Sequence, residues 1–364
     1  MTQQLAGQRH WTEAAIPDLS GRTAVITGAN AGLGLQTARV LAAHGAHVVL
    51  ACRNLDKAGH AAGQIAAASP GASTSVVRLD LASQSCVRSA AGEIRARFPR
   101  VDLLINNAGV MEVPCQRTQD GFELTLATNH LGPFALTGLL LDRLAAGARI
   151  VTVSSIGHLD GVIDFGDLQA ERHYDPERAY SQSKLANLLF TYELDRRLRA
   201  AGVRVIALGC HPGVVRTDLF ANRSRRQQFL LSPAMRIINF WAVQNARMGA
   251  LPALRAATDP SARGGEYFGP RRYGLRRRFY TGYPAVVESS ARSHREADQA
   301  RLWQVSEQLT GVSYTALSWS ACQPRRDAII TAICGPRWSM RPSASSPSAV
   351  SAASPWPKRA AASA

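Results

Sequence analysis

A tyrosine and a lysine stand four positions apart in the stretch YSQSK, as Tyr180 and Lys184. On a helix this spacing places both side chains on one face. A phenol has a pKa of about 10 and is a poor base at neutral pH, but a neighbouring ammonium favours its phenolate form. We therefore predict that Tyr180 exchanges a proton with an alcohol or carbonyl oxygen and that Lys184 assists it and bonds a ribose hydroxyl. The alternative is that the two are surface neighbours.

A glycine-rich turn, TGANAGLG at residues 27–34, lies between an apolar run and a helical pattern. In a strand–turn–helix context, backbone N–H groups and the helix dipole bind a pyrophosphate. Gly28 permits the tight turn, Gly32 allows close approach to the phosphates, and Gly34 lets helix and sheet pack. An ordinary strand-to-helix turn is the alternative. The cofactor-binding residues predicted from this turn are Gly28, Asn30, Gly32, Leu33 and Gly34.

The end of the next apolar run, Ala51-Cys52-Arg53, bears on which nucleotide binds. An acidic residue at this place accepts the ribose 2′-hydroxyl of NAD, whereas the 2′-phosphate of NADP needs a cation. No carboxylate occurs before Asp56, and an arginine fork suits a phosphate. Arg53 therefore favours NADP(H) over NAD(H), unless it is one of the many surface arginines.

The elements that must position these residues alternate along the chain. Short runs rich in Val, Ile and Leu are followed by stretches with helical spacing; the predicted strands are 23–26, 46–51, 74–79, 101–105, 149–153 and 203–208. This alternation predicts an α/β fold, a Rossmann-type doubly wound parallel sheet with helices on both faces. We expect a single domain at 19–314 after an N-terminal arm at 1–18, with a final amphipathic helix ending near Leu309. Residues 315–364 are a low-complexity tail that we expect to be disordered and without a role.

These strings together resemble the classical short-chain dehydrogenase/reductase family over roughly residues 10–314. Within it, TGANAGLG, ACRN, NHLG, SKLANLLF and LTGVSY are most similar to the branch that is retinol-dehydrogenase-like, WW-domain-oxidoreductase-like and protochlorophyllide-reductase-like. The resemblance implies four catalytic residues, with Ser155 bonding the substrate oxygen and Asn129 holding a water in the proton relay; they are Asn129, Ser155, Tyr180 and Lys184. No metal is implied.

The resemblance also extends the cofactor site. It implies that Asp80 bonds the adenine amino group, that Asn107 to Gly109 wall the adenosine side, and that Thr217 contacts the nicotinamide carboxamide. The further cofactor-binding residues are Asp80, Leu81, Asn107, Ala108, Gly109, Tyr180, Lys184, Pro212, Gly213 and Thr217. The chain departs from the pattern at Ala31, where relatives often have Ser or Thr, which weakens a phosphate contact.

Two histidines between the serine pair and the tyrosine are open to two interpretations. His158 and His173 would either contact the substrate or lie on a surface loop. Residues 218–243, where the family places its substrate lid, are strongly apolar beside several arginines. They favour a hydrophobic substrate, and the rival interpretation is a helix that makes weak peripheral contact with an anionic membrane.

The leading functional hypothesis is an NADP(H)-dependent oxidoreductase that transfers a hydride between nicotinamide and a hydrophobic alcohol, aldehyde or ketone. Two alternatives stay open. A non-catalytic nucleotide-sensing relative typically lacks the Tyr or the Lys that this chain has. An extended-type epimerase or dehydratase would suit the length but not the glycine spacing. The resemblance suggests a homodimer or homotetramer built through the helices that hold Asn129 and Tyr180.

The composition of the chain bears on its partners, its cysteine chemistry and its location. The chain has 364 residues and a net charge of +16, but arginine-rich segments at 261–280 and 316–364 hold much of the excess, and no nucleic-acid-binding motif accompanies it, so we expect no nucleic-acid partner. The six cysteines lack metal-ligand or disulfide spacing. The sequence contains no apolar run long enough for a transmembrane segment and no signal peptide, so a cytoplasmic location is expected.

Overall fold

The computed structural model describes residues 10–215, 244–271 and 281–317. Eight strands form one sheet in the order β3-β2-β1-β4-β5-β6-β7-β8. The first seven are parallel and β8 is antiparallel to β7. The strands are β1 (Thr23–Thr27), β2 (His47–Cys52), β3 (Thr74–Arg78), β4 (Val101–Asn106), β5 (Leu144–Val153), β6 (Val205–Cys210), β7 (Tyr267–Pro270) and β8 (Pro284–Val286). The predicted Rossmann-type α/β fold is confirmed.

Helices connect the parallel strands, as crossover connections require, and a further helix follows β8. They are α1 (Gly32–Ala43), α2 (Leu55–Ala68), α3 (Gln84–Arg97), α4 (Leu124–Leu126), α5 (Gly132–Leu140), α6 (Pro176–Ala200), α7 (Ala246–Thr258) and α8 (Glu296–Thr310). A π-helical turn at Ala127–Leu131 joins α4 to α5, and a 3-10 turn at Ile156–Leu159 follows β5. Asn54, Ser83, Asp175 and Asn245 cap the starts of α2, α3, α6 and α7 with their side chains.

The sheet separates two hydrophobic cores because successive strand residues point to opposite faces. Val49 and Leu104 face the core under α3, α5 and α6, whereas Leu50 and Ile105 face the core under α1, α2 and α7. All four are fully buried. With both faces covered, the strands consist almost entirely of apolar residues, which is why the sequence shows runs rather than alternation.

Each of the six predicted strands is present, displaced by at most two residues at its start except for β5, which begins at Leu144 rather than at residue 149. The sequence did not predict β7 and β8. They have four and three residues and contain prolines at the edge of the sheet, where a residue without a backbone N–H is tolerated. Such short segments carry no period that a sequence pattern can reveal.

The expected final helix is α8, which ends where Gly311 adopts a φ of +62°. Its Trp303 packs among Phe134, Phe190 and Tyr314, and the Tyr314 hydroxyl donates to the Phe134 carbonyl at 2.7 Å. Helix α8 packs against α5 and α6. The homodimer or homotetramer stays a prediction, as do the domain boundaries.

One helical stretch among the described residues, Leu124–Arg143, is apolar and long enough to cross a membrane, with a mean hydropathy of 1.2. Of its apolar window, 78% is buried inside the protein, and packing against α6 and α8 accounts for that character. The predicted lid at 218–243 and residues 318–364 of the predicted tail lie outside the described residues.

Candidate active site

Helix α6 holds the predicted proton-transfer pair near its start. The Asp175 side chain accepts the Arg178 N–H at 2.7 Å and Pro176 occupies the first turn, so the helix begins firmly just before Tyr180. One turn further, the Lys184 ammonium lies 5.7 Å from the centre of the Tyr180 ring. The helical spacing therefore brings the two side chains together, as predicted.

Lys184 is only 5% exposed. Its ammonium donates to the Val153 carbonyl at the end of β5, at 3.1 Å, and Asn187 donates to the same oxygen at 3.1 Å. Burial lowers the pKa of Lys184 from 10.5 to about 8, because a charged ammonium loses its hydration there. The group is thus still largely protonated at pH 7 and remains a donor beside Tyr180.

The serine pair follows β5 directly. Ser154 is buried and donates to the Lys184 carbonyl at 2.7 Å, which ties the strand end to α6. Ser155 caps the 3-10 turn and its hydroxyl oxygen accepts the Gly157 N–H at 3.2 Å. A hydroxyl that accepts one hydrogen bond can still donate another, so Ser155 is able to bond a substrate oxygen.

Asn129 lies in the π-helical turn, completely buried behind the site. Its side chain accepts the Val110 N–H at 2.7 Å and donates to the Val110 carbonyl and to Ser183. A Cβ on Gly109 would stand 3.0 Å from the Asn129 oxygen and 3.4 Å from the Lys184 ammonium. Asn129 therefore fixes the chain after β4 next to Lys184, a contact that the sequence did not reveal. Single-turn π-helices occur frequently at functional sites.

The glycine turn links β1 to α1 with left-handed backbone at two positions. Gly28 has a φ of +66° and Gly32 a φ of +53°, both in the region that glycine tolerates. A Cβ on Gly34 would stand 2.4 Å from the Gly28 carbonyl and 2.5 Å from the Asn107 side chain. Close packing of helix and sheet is therefore why position 34 is a glycine.

The start of α1 fits the phosphates of a dinucleotide. Ala31, at its N-cap, makes no side-chain hydrogen bond to the first turn, unlike the caps of α2, α3, α6 and α7. The exposed N–H groups and the positive helix end suit an anion. The departure at Ala31 thus leaves these donors for a ligand, although it removes a hydroxyl that could add a contact.

Thr27 and Asn107 join the carboxyl ends of β1 and β4 next to this turn. The Thr27 hydroxyl accepts the N–H groups of Asn107 and Ala108 at 3.0 and 2.9 Å, and the Asn107 amide donates to the Thr27 carbonyl at 2.9 Å. These bonds hold 107–109 as a wall beside the glycine turn.

A cavity of about 700 Å³ runs from the glycine turn to the serine–tyrosine–lysine cluster. Its size is within the range of small-molecule sites. The predicted site residues that line it are Gly28, Asn30, Gly32, Leu33, Gly34, Asn107, Ala108, Gly109, Ser155, Tyr180, Lys184, Pro212 and Gly213.

The other predicted residues lie elsewhere. Asn129 stands behind Gly109, Leu81 is buried in the core, and Asp80 uses a carboxylate oxygen to accept the Ala82 N–H at 3.0 Å. Arg53 is exposed at the end of β2. Thr217 lies outside the described residues.

Several lining residues gave no sequence signal. They come from loops after β4, β5 and β6 and from the first turn of α6, and they are Val110, Met111, Glu112, Asp160, Glu177, Val214 and Val215. Only the three-dimensional convergence of these loops brings them together. Within the described ranges, no cluster of His, Cys, Asp or Glu could hold a metal ion.

A parallel sheet with a glycine turn at the carboxyl end of β1, facing a Ser–Tyr–Lys cluster, defines a nicotinamide-dependent oxidoreductase. The family model for short chain dehydrogenase matches residues 22–228. The chain belongs to the short-chain dehydrogenase/reductase family, in its retinol-dehydrogenase-like branch, and is an NAD(P)-dependent oxidoreductase.

Relatives support this membership along most of the chain. Human retinol dehydrogenase 13 is 44% identical over 71% of this chain and 78% of its own length, and human retinol dehydrogenase 12 is 42% identical over 81% and 88%. A crystal structure of an uncharacterised protein from Mycobacterium paratuberculosis has 42% identity and a TM-score of 0.69, and it covers 84% of this chain and 99% of its own. A gluconate 5-dehydrogenase structure from Beutenbergia cavernae with bound NADP has 27% identity and a TM-score of 0.53, covering 69% and 95%.

Proposed function

We propose that the protein is an NADP(H)-dependent oxidoreductase that interconverts a hydrophobic alcohol with its aldehyde or ketone, with Tyr180 as the general acid/base. The observation that carries the proposal is the single cavity that joins the glycine turn to Ser155, Tyr180 and Lys184. Hydride transfer to a carbonyl requires a nicotinamide cofactor and a proton donor side by side. A cavity that joins a phosphate-binding turn to Tyr180 can hold both.

The protein's own groups would move the proton. A bound NADPH would supply the hydride for reduction of the carbonyl carbon. The Tyr180 hydroxyl would give its proton to the carbonyl oxygen. The Ser155 hydroxyl would donate a hydrogen bond to the same oxygen. The adjacent Lys184 ammonium stabilises the phenolate that Tyr180 becomes. Oxidation of the alcohol runs the same steps in reverse.

The cofactor would lie along the cavity. The α1 N-terminus and Gly28 to Gly34 would bind the pyrophosphate, residues 107–109 would wall the adenosine side, and Pro212 and Gly213 would border the nicotinamide. Asp80, Leu81 and Thr217 are proposed to complete the site, and Asn129 is proposed to hold a relay water.

The preference for NADP(H) rests on Arg53. Its place directly after β2, with no carboxylate before Asp56, suits a 2′-phosphate. Two structural neighbours support the proposal: the Beutenbergia cavernae enzyme with bound NADP, and a blue fluorescent protein from a metagenomic library in complex with NADPH.

Two carboxylates narrow the substrate class. Asp160 ends the turn that begins after Ser155, and Glu177 lies one helical turn before Tyr180; both line the cavity. Their negative field would repel an anionic substrate. We therefore propose neutral hydrophobic substrates, and the names of the relatives make retinal the first aldehyde to assay.

The enzyme is proposed to act in the cytoplasm.

The cofactor proposal is tested with Arg53→Glu and a matched control. Arg263→Glu changes an exposed arginine in the loop before β7, away from the carboxyl ends of the strands. We expect the wild type to bind NADPH more tightly than NADH, and Arg53→Glu to weaken NADPH binding about 10-fold or more while leaving NADH binding unchanged. An equal loss of affinity for NADPH and NADH in Arg53→Glu, or an equal loss of NADPH affinity in Arg263→Glu, would refute the role of Arg53.

The substrate proposal is tested with a pair of aldehydes of equal chain length. One is a neutral alkyl aldehyde and the other carries a terminal carboxylate. We expect the wild-type enzyme to reduce the neutral aldehyde faster than the carboxylate, and this preference to weaken in the double variant Asp160→Asn/Glu177→Gln. A wild-type enzyme that prefers the carboxylate contradicts it.

A further inference from the structure

His158 stands three residues after Ser155 and is only 3% exposed. Its Nδ1 lies 2.6 Å from the Ser155 carbonyl oxygen, which also accepts the backbone N–H of His158 at 3.1 Å. On the other side of the ring, Nε2 lies 3.1 Å from the backbone nitrogen of Ser290. The imidazole thus connects the turn after β5 to the segment after β8, which is remote in sequence.

The two partners define the protonation of this imidazole. The Ser290 N–H can only donate, so Nε2 must be an unprotonated acceptor; the Ser155 carbonyl can only accept, so Nδ1 must carry the hydrogen. Burial lowers the pKa of His158 and keeps the ring neutral. Both nitrogens are therefore committed to backbone groups.

The segment beyond Ser290 is itself fastened to α6. The Ser289 hydroxyl is 2.7 Å from the Tyr192 hydroxyl and 2.9 Å from His294, and the His294 ring stacks on Tyr192 at 4.6 Å. Tyr192 lies on the same helix as Tyr180. A closed path of contacts therefore runs from Ser155 through His158 and the segment 289–294 to α6.

His158 does not reach the catalytic cavity. It borders a second cavity, of about 430 Å³, on the far side of the turn Ile156–Leu159, together with Tyr267 and His211, and the Tyr267 ring meets it edge-on at 5.5 Å. His173, the other histidine of this region, is exposed. His158 therefore acts on the reaction only indirectly, and its side chain contacts the site at the Ser155 carbonyl oxygen.

We propose that His158 is a positioning residue that holds the Ser155 backbone against the segment 289–294, and so keeps the Ser155 hydroxyl in place relative to Tyr180. Its side chain does this as a two-ended clamp, donating to Ser155 and accepting from Ser290. The inference rests on the proposed function because it assigns His158 to the support of Ser155.

Two amide substitutions separate the ends of the clamp. In His158→Asn the side-chain amide reaches about as far as Nδ1, so it can still donate to the Ser155 carbonyl but loses the bond from Ser290. In His158→Gln the amide reaches about as far as Nε2, so it can still accept the Ser290 N–H but loses the bond to Ser155. A displacement of about 1 Å in a reacting group costs on the order of 100-fold in rate. We expect kcat to fall about 10- to 100-fold in the Gln variant and less in the Asn variant, with NADPH affinity unchanged. His173→Gln is the matched control and should behave as the wild type.

A double-mutant cycle with Ser155→Ala distinguishes positioning from general structural support. If His158 acts through Ser155, His158→Gln has no further effect on the single-turnover rate once the Ser155 hydroxyl is gone. Multiplicative losses in the double variant would overturn the proposal. If Ser155→Ala alone retains the wild-type rate, the proposed function fails at Ser155; if Ser155→Ala is slow but His158→Gln is not, only the inference about His158 fails.

The wild-type protein gives an independent readout that does not depend on folded variants. Long-range 1H–15N spectra distinguish the two neutral tautomers of a histidine. An Nδ1–H tautomer at His158 that persists at neutral pH supports the clamp. An Nε2–H tautomer or an imidazolium would overturn it, because neither can accept from Ser290 while donating to Ser155.

Discussion

Replacing Lys184 by Met should make the protein more stable while it abolishes activity. The pKa of Lys184 falls from 10.5 to about 8 on burial, and each pKa unit corresponds to about 1.4 kcal/mol, so the charged ammonium costs the folded state about 3 kcal/mol at pH 7. Met fills a similar space without a charge. The lost hydrogen bond to Val153 offsets about 1 kcal/mol, because the Asn187 side chain still donates to that carbonyl. The net gain is about 2 kcal/mol.

The pH dependence of the gain identifies its cause. Between pH 8 and 10.5 the unfolded chain binds a proton at Lys184 that the folded chain does not, so the stability of the wild type rises with pH in this window. Lys184→Met lacks that titration, and its advantage should disappear by about pH 10.5.

The assay is denaturant unfolding of the cofactor-free protein at pH 7, 8, 9 and 10, because a bound nucleotide would stabilise the folded state separately. Lys57→Met is the control: Lys57 is exposed on α2 and its removal should leave the free energy of unfolding nearly unchanged at every pH. A Lys184→Met variant that is less stable than the wild type at pH 7, or whose advantage does not change between pH 7 and 10, would show that the buried charge of Lys184 does not destabilise the folded protein.

Two further predictions concern a buried histidine and the glycine turn. Burial lowers the pKa of His130 from 6.5 to about 4. Between these two pH values the unfolded chain takes up a proton at His130 that the folded chain does not. The free energy of unfolding should therefore fall by about 3 kcal/mol as the pH drops from 6.5 to about 4. His130→Gln, which can keep the contact with Ser306, should show a shallower fall in denaturant unfolding at pH 7 and 4.5; an identical slope would contradict this. Gly34→Ala places a Cβ 2.4 Å from the Gly28 carbonyl and should weaken NADPH binding in titrations about 10-fold or more. Gly63→Ala is the control, because the space around its Cβ is open. It should stabilise α2 by about 0.5–1 kcal/mol without changing the affinity for NADPH. Unchanged affinity in Gly34→Ala would show that the turn does not hold the cofactor.

The parts of the fold and site that the sequence predicted are those encoded locally. Tyr180 and Lys184 are one helical turn apart, and the glycine turn is one continuous string, so their geometry follows from helix and turn stereochemistry alone. The six long strands likewise show as apolar runs because both sheet faces are buried.

The parts that the sequence did not predict depend on contacts between distant segments. His158 gave no sign that it would meet Ser290, which lies 132 positions away. Asp160 and Glu177 read as ordinary surface carboxylates until the turn after β5 and the start of α6 converge on the cavity. Strands β7 and β8 are held by pairing with β6 and with each other, and their own residues show no strand period.

Proton transfer by Tyr180 is tested with Tyr180→Phe in single-turnover oxidation of NADPH by a hydrophobic aldehyde such as retinal. We expect this variant to bind NADPH as tightly as the wild type but to reduce the aldehyde about 100- to 10,000-fold more slowly. A variant that reduces the aldehyde within about twofold of the wild-type rate would show that Tyr180 does not transfer the proton.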